Sequence, residues 1–357
     1  MHKNKRIIIV GVGTGGHLFP SLAVLEEIKK ISPKTKVLFI GLKKGREKDI
    51  IQSRGIEVGF REISAGKLRR YFSWENFLDF FRFFGGIFQA RKIIGEFRPQ
   101  SIFSSGGFLA LPIIIAAKIK KIPCIIHECD MVPGVSNKLS SYFASNITCS
   151  FEATCKKFPK QKSIFTGHPI RKEITKANAV RGLKFLGFKK KLPVLLVWGG
   201  SQGARRINQI ISSSRKSLCN KMQIVHLGSS TDVNEERYST FRFLEKELPD
   251  VLACADLVLG RSGASSIFES ASLKKPQIMI PLPSSANHHQ QKNAVEFLRQ
   301  GAGLILDEKL LEPEVFIKII EGIILSPEKL KNLSRNTKKF YKKDSSEKIA
   351  KLILTSI

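Results

Sequence analysis

Twice along this chain a short apolar, β-branched run ends in a glycine-rich loop that opens a helical pattern. Arg6–Val10 runs into Gly11-Val-Gly-Thr-Gly-Gly-His17, and Pro193–Trp198 runs into Gly199-Gly-Ser-Gln-Gly-Ala-Arg205. A continuous apolar run suits a strand buried on both faces of a parallel sheet. Glycines between such a strand and a helix let backbone N–H groups close on an anion at the helix N-terminus. One such unit points to the α/β class, and two imply two sheets. Further runs at Lys36–Ile40, Ser101–Ser104 and Cys124–His127 extend the first half. Gln223–Leu227, Asp256–Leu259 and Pro276–Ile280 extend the second. Between them, Ser21–Lys30 has helical spacing, with Leu22, Leu25 and Ile28 on one side. The expected fold is two Rossmann-like doubly wound domains facing across a cleft, covering 1–164 and 165–340. Gly167–Arg171 is the candidate hinge, and Glu328–Ile357 reads as one or two basic helices.

The 357 residues are too many for one comfortable core and suit two domains of roughly 150–200 residues. Sixty Lys and Arg against thirty Asp and Glu leave a formal charge of +30. Such a field favours nucleic acid, an anionic membrane surface or phosphorylated substrates. The lysines are spread along the whole chain, so charge alone decides little. Six cysteines show no C-x-x-C spacing and no accompanying His cluster, which argues against zinc and for a reducing compartment. Basic residues before Ile7–Val10 imitate a signal peptide, but the run breaks at Gly11 without a cleavage pattern, so secretion is not expected. The longest apolar run, Phe108–Ala117, contains Pro112 and is about half a bilayer span, so no crossing segment is expected.

Four constellations carry chemistry. In the first loop Gly11, Gly13 and Gly16 match G-x-G-x-x-G, but no Asp or Glu ends the second run, where Gly41-Leu-Lys-Lys44 stands instead. A dinucleotide ribose lacks its usual partner there, although the lysines would suit a 2′-phosphate. His17 puts an imidazole at the end of this loop, where a general base is the obvious role. In the second loop the amides, Ser201 and Arg205 make another anion site. The third, Gly260-Arg-Ser-Gly-Ala-Ser-Ser-Ile-Phe-Glu269, sets a carboxylate within a helix start of small residues, fit to accept from two vicinal hydroxyls. The fourth, Pro281–Asn293, is a run of amides and imidazoles in which Gln290 and Asn293 share a helix face. Fixed amides read sugar hydroxyls well.

Together these stretches resemble the MurG family, the peptidoglycan N-acetylglucosaminyltransferases of glycosyltransferase family 28. The match runs in order over essentially the whole chain. It includes G-T-G-G-H-L-F-P, G-G-S-Q-G-A-R, R-S-G-A-S-S-I-F-E and H-Q-Q-K-N-A, with His127-Glu-Cys-Asp130, Gly134–Lys138 and Gly167–Arg171 beside them. The resemblance implies a GT-B fold. Its N-terminal domain takes a lipid-linked acceptor, its C-terminal domain takes UDP-N-acetylglucosamine, and a last helix (341–357) returns to the first domain. Carried over by motif, Thr14, Gly15 and Gly16 lie near the donor's diphosphate and sugar. Arg171 and Ser201 contact the donor, Leu244 offers its backbone to uracil, and Ala264, Ser265 and Glu269 belong to the nucleotide-holding helix, Glu269 on the ribose. Gln290, with Asn293 beside it, meets the sugar. The family ends its H-E-Q-N motif in an amide that meets the substrate, where this chain has Asp130, a carboxylate that could accept the same hydroxyl but would repel phosphate.

The implied reaction is an inverting transfer of N-acetylglucosamine to the C4 hydroxyl of undecaprenyl-diphosphate-linked N-acetylmuramyl-pentapeptide. His17 is the candidate base and Glu128 the reserve. No D-x-D carboxylate pair stands at a strand end, so neither metal nor cofactor is expected. Eight of the 25 Phe residues fall between Phe72 and Phe97, flanked by Arg and Lys. Leu68, Phe72, Trp74, Phe77 and Phe81 are the candidate contacts with an anionic cytoplasmic leaflet, which would make the protein peripheral to the inner membrane. Two rivals stand beside this reading. A UDP-sugar 2-epimerase on the same scaffold would need several cleft carboxylates and no exposed aromatic segment. A nucleic-acid binder would need a basic stripe interleaved with stacking aromatics; the sequence has no recognisable motif of that kind, and no nucleic-acid partner is expected.

Overall fold

The computed structural model describes residues 5–13, 15–43, 45–64, 74–189, 191–199, 204–229 and 232–357, with 74–80 described as backbone. Thr14, Ser201, Leu68 and Phe72 lie outside the described residues, as do the side chains of Trp74 and Phe77. The chain divides into two compact units, Met1–Pro169 with Lys342–Ile357, and Ile170–Tyr341.

The first unit is built on a seven-stranded sheet. Its strands are β1 (Arg6–Val10), β2 (Lys36–Leu42), β3 (Gly59–Ile63), β4 (Ser101–Ser104), β5 (Cys124–Glu128), β6 (Asn146–Cys149) and β7 (Ser163–Phe165), in the spatial order 3-2-1-4-5-6-7. Every pairing is parallel. Ile7, Ile8, Ile9 and Val10 have no exposed surface, as the unbroken apolar run required. One face is covered by the helix Gly15–Ile31, whose Leu18, Leu22, Leu25 and Ile28 share a core with Ile349, Ala350, Ile353 and Leu354 of the helix Ser345–Thr355. Lys5 Nζ donates to the Leu354 carbonyl at 2.7 Å, and Ser101 and Ser356 hydroxyls meet at 3.1 Å, pinning that last helix. The other face carries the helices Trp74–Phe97 and Ala110–Ile119 through Ala90, Ile94, Ile113 and Ala117. The helix after the first loop begins earlier than the spacing predicts, at Gly15 rather than Ser21, and runs through Pro20. Pro20 forfeits only the bond to the Gly16 carbonyl, at an exposed position of the opening turn.

The second unit repeats the plan with β8 (Val194–Trp198), β9 (Gln223–Leu227), β10 (Val233–Glu235), β11 (Tyr238–Phe241), β12 (Leu257–Gly260), β13 (Gln277–Met279) and β14 (Gly303–Ile305). Their order is 10-11-9-8-12-13-14, parallel except for the β10–β11 hairpin. Ile207, Ile210, Ile211 and Leu218 of the helix Arg205–Cys219 pack with Phe316, Ile320 and Ile324 of the helix Pro313–Ile324 on one face. Phe268, Phe297 and Phe340 form a second cluster, with Phe297 and Phe340 stacked at 3.7 Å. The helices Ala179–Leu186 and Leu248–Cys254 approach so closely that a Cβ on Gly182 would overlap the Asp250 carbonyl.

In each sheet the order reverses once beside the first strand, between β1 and β4 and between β8 and β12. Ligands of open parallel sheets bind outside the strand ends at such a reversal. The ends of β1 and β8, at Val10 and Trp198, stand there.

Candidate functional site

In the first unit the loop Gly11–Gly16 leaves β1 next to Ser105-Gly106-Gly107, which leaves β4. His17 is half-buried in the opening turn of the helix Gly15–Ile31. Its Nδ1–H donates to the Ser105 carbonyl at 2.9 Å. Ser105 Oγ donates in turn to the His17 carbonyl and meets Ser21 Oγ at 2.8 Å. A carbonyl can only accept, so in the neutral ring Nε2 carries the lone pair. Gly106 and Gly107 have φ of +103° and +88°, and a Cβ on Gly106 would lie 3.3 Å from His17 Cε1. These two glycines leave room beside the imidazole.

The same loop holds a residue that sequence reasoning missed. Gly13 N–H donates to Glu47 Oε1 at 3.0 Å. Glu47 stands five residues past β2 and is 2% exposed. Gly41-Leu-Lys-Lys44, at the end of the second strand, carries no acidic residue. The carboxylate sits just beyond, and it binds the loop rather than a ribose.

Glu128, the reserve base, is buried at the end of β5. Its carboxylate accepts from the Asp130 and Gly134 amides and from Asn137 Nδ2, all at 3.0 Å. It therefore organises the turn 128–137. Burial, and then Asp130 nearby, push its pKa to about 7. Asp130 is half-buried, and its backbone is held at both ends, the carbonyl by Thr154 Oγ1 at 3.1 Å.

Behind the site runs a chain of buried hydrogen bonds. Thr148 Oγ1 donates to the Ile126 carbonyl at 3.2 Å, so it accepts from His127 Nδ1–H at 2.9 Å. Ser150 Oγ then donates to His127 Nε2 at 2.9 Å and accepts from His168 Nδ1–H at 2.8 Å. Desolvation lowers the pKa of both rings, His168 to about 3, with His17 nearby adding to the effect. Ligand atoms of His127, Cys129 and His168 lie within 4.8 Å of one another. Ser150 Oγ already bridges the two imidazoles, so this group is occupied by its own hydroxyls.

In the second unit the predicted donor residues meet each other. Arg171 and Glu269, 2% and 3% exposed, form a bidentate pair, Nε and Nη2 each donating to a carboxylate oxygen at 2.6 Å. Arg171 thus engages both oxygens of the carboxylate expected on the ribose. Ala264 is buried at the start of the helix Ala264–Ser272, and Ser265 is half-buried. Gln290 Oε1 accepts from Leu282 N–H at 3.0 Å, and the Gln290 carbonyl from Ser262 Oγ at 2.9 Å. Asn293 is fully buried and donates to the Ser262 carbonyl at 3.1 Å. It fastens the loop after β12 to the amide-rich helix. Arg261 forks onto Glu308 at 2.9 Å, a second fastening that the sequence did not announce. Leu244 is 8% exposed.

On the helix Trp74–Phe97, Phe81, Phe84 and Phe88 are 57%, 45% and 69% exposed. They recur every three to four residues on one face, beside exposed Arg82, Arg91 and Lys92. Among the described residues no helix is long and apolar enough to cross a membrane.

The model of the glycosyltransferase family 28 N-terminal domain matches residues 7–149, and that of its C-terminal domain matches 194–351. The chain is 40% identical over 320 residues to a UDP-N-acetylglucosamine–N-acetylmuramyl-(pentapeptide) pyrophosphoryl-undecaprenol N-acetylglucosamine transferase of Clostridium botulinum, covering 88% of this chain and 89% of that protein. It is 38% identical over 340 residues to the protein of the same name from Clostridium tetani, covering 93% and 94%. Among solved structures, Acinetobacter baumannii MurG superposes with a TM-score of 0.76 at 21% identity, covering 98% of this chain and 99% of that one. A UDP-N-acetylglucosamine 2-epimerase superposes with a TM-score of 0.73 at 13% identity, covering 99% and 96%. At those identities the structural likenesses speak to the fold alone.

Proposed function

The chain belongs to glycosyltransferase family 28, and from that premise we propose that it transfers N-acetylglucosamine from UDP-N-acetylglucosamine to undecaprenyl-diphosphate-linked N-acetylmuramyl-pentapeptide. The observation that carries the reading is similarity along nearly the full length to transferases named for that reaction. An epimerase shares the architecture, but the relatives near 40% identity are transferases.

His17 is the proposed base. Its Nδ1–H is held by the Ser105 carbonyl, which leaves Nε2 to take the proton of the acceptor's C4 hydroxyl. That oxygen then bonds to the anomeric carbon from the face opposite UDP, and the carbon–oxygen bond to the diphosphate breaks. One displacement inverts the centre and gives a β-1,4 link, with the electron pair leaving on UDP. His127 and His168 are buried and hydrogen-bonded to Ser150, whereas His17 is half-buried at the loop, so of the three neighbouring imidazoles His17 is the one placed to meet the acceptor. Arg171 would meet the charge of the donor's diphosphate and Glu269 its ribose, with Gln290 and the Leu244 backbone beside the sugar and the uracil. Loop amides at helix starts would meet the charge growing on the leaving diphosphate. The residues at 14 and 201 complete that set in this proposal. The Phe81–Phe84–Phe88 face with its basic neighbours would dock on an anionic leaflet, where the lipid-linked acceptor resides.

The test is UDP release from UDP-N-acetylglucosamine with and without the lipid-linked acceptor, in chelator. Acceptor-dependent release with a disaccharide product is expected. Acceptor-independent conversion of the donor would move the assignment to the epimerase. In the same assay His17→Ala should lower turnover by about 10²–10⁴-fold and leave the UDP dissociation constant within about twofold; equal loss of both would make His17 a binding residue.

A further inference from the structure

The second unit buries a run of polar side chains that the proposed chemistry does not use. Asn208 stands one turn inside the helix Arg205–Cys219, and its backbone N–H makes that helix's first bond, to the Ala204 carbonyl at 2.8 Å. Its side-chain Nδ2 donates to the Gly228 carbonyl at 3.0 Å. A carbonyl only accepts, so the amide's orientation is fixed, and Asn208 Oδ1 faces His226 Nε2 at 2.9 Å. Nε2 therefore carries the ring's proton, and Nδ1 accepts from the Tyr238 hydroxyl at 3.1 Å. His226 and Tyr238 are 2% and 7% exposed. Burial lowers the His226 pKa to about 4, which keeps the ring neutral and this order of donors intact. An apolar trio of the same shape would cost little in stability; what hydrogen bonds add is direction. The chain runs from β11 through β9 to the helix and back to Gly228, which leaves β9 at φ +91°. It thus ties the opening turn of the helix to the end of β9. The amides of Arg205, Arg206 and Ile207 precede Asn208 and have no carbonyl within the helix to bind. From that position a helix start meets a phosphate.

We propose that Asn208 and His226 are positioning residues: through one chain of hydrogen bonds they hold the opening turn of the helix Arg205–Cys219 in place for the donor's diphosphate. This rests on the donor reading of the second unit. Neither side chain is asked to touch the substrate.

The test uses the full chain and measures UDP affinity calorimetrically, which needs no acceptor, together with the KM of each substrate in the transfer assay. Asn208→Leu keeps the side chain's shape and removes both its hydrogen bonds. It should weaken UDP binding and raise the donor KM about tenfold, with the acceptor KM unchanged. His226→Leu should do the same. His226→Gln keeps a donor for Asn208 and should stay within about threefold of the parent. Because the two residues act through one chain, the double leucine variant should lose no more than about threefold beyond the weaker single variant. A lower urea midpoint in Asn208→Leu with UDP affinity unchanged overturns the proposal, since the chain would then serve stability alone. So do losses that multiply in the double variant, or a His226→Gln as weak as His226→Leu. Should the leucine variants fail to fold, Asn208→Asp carries the test: it still accepts from His226 but turns an oxygen toward the Gly228 carbonyl, and the same loss is expected. If the parent binds UDP yet transfers sugar to no acceptor, the assigned reaction fails, while the UDP affinities still decide the chain. If the parent binds no UDP, both fall.

Discussion

The Arg171–Glu269 pair joins two charges in the interior, and its energetics are asymmetric. A buried pair gains little over a packed apolar substitute, but removing one partner strands the other. Arg171→Ala should therefore cost about 3–5 kcal/mol of unfolding free energy, read by urea denaturation of the full chain. Arg171→Met with Glu269→Leu should recover most of that stability while UDP binding stays lost. Recovery of UDP binding in the double variant would remove the pair from the donor site. Both residues were singled out by their motifs, but their mutual contact was not legible, because they stand 98 positions apart. His17 was legible for a local reason: an imidazole in a glycine loop has few apolar neighbours. Glu47 was invisible because its role appears only when the ends of β1 and β2 meet.

At the scale of elements, close approach is the governing constraint. Gly182 lets the helix Ala179–Leu186 lie on the backbone of the helix Leu248–Cys254. Gly182→Ala should force them apart and cost about 1–3 kcal/mol, seen as a lower urea midpoint at unchanged slope. The strands read in advance are those with unbroken apolar runs, β1, β2, β4, β5, β8, β9, β12 and β13. Those missed are short or polar: β3 is an edge strand mostly exposed, β6 begins Asn146-Ile-Thr, and β10 is Val-Asn-Glu. Such segments become strands because a neighbour offers a ladder, and no local period records that. The amphipathic reading of the Phe-rich segment meets an exposed stripe at Phe81, Phe84 and Phe88. Changing all three to Ser should abolish binding to anionic vesicles without lowering the melting temperature. Retained binding would take the membrane contact away from this helix.

For the molecule as a whole, acidity acts through buried groups of opposite sign. Burial raises Glu128 from 4.5 to about 7. The stability this contributes is complete below pH 4.5 and is lost as the pH climbs through 7. His168 and His226 are lowered by burial from 6.5 to about 3 and about 4, so their contribution is present above pH 6.5 and is lost as the pH falls through those values. Glu128→Gln should therefore remove a contribution that falls between pH 4.5 and 7, so that stability rises more steeply with pH across that range, and should leave the loss below pH 4.5 in place, as followed by urea unfolding. The placement of the helix Ser345–Thr355 reaches beyond equilibrium. Ile349, Ala350 and Ile353 complete the core around Leu22 and Leu25, yet they leave the ribosome only after all of 170–341. The half of the protein made first must therefore wait, its helix Gly15–Ile31 uncovered, until the half made second has been synthesised.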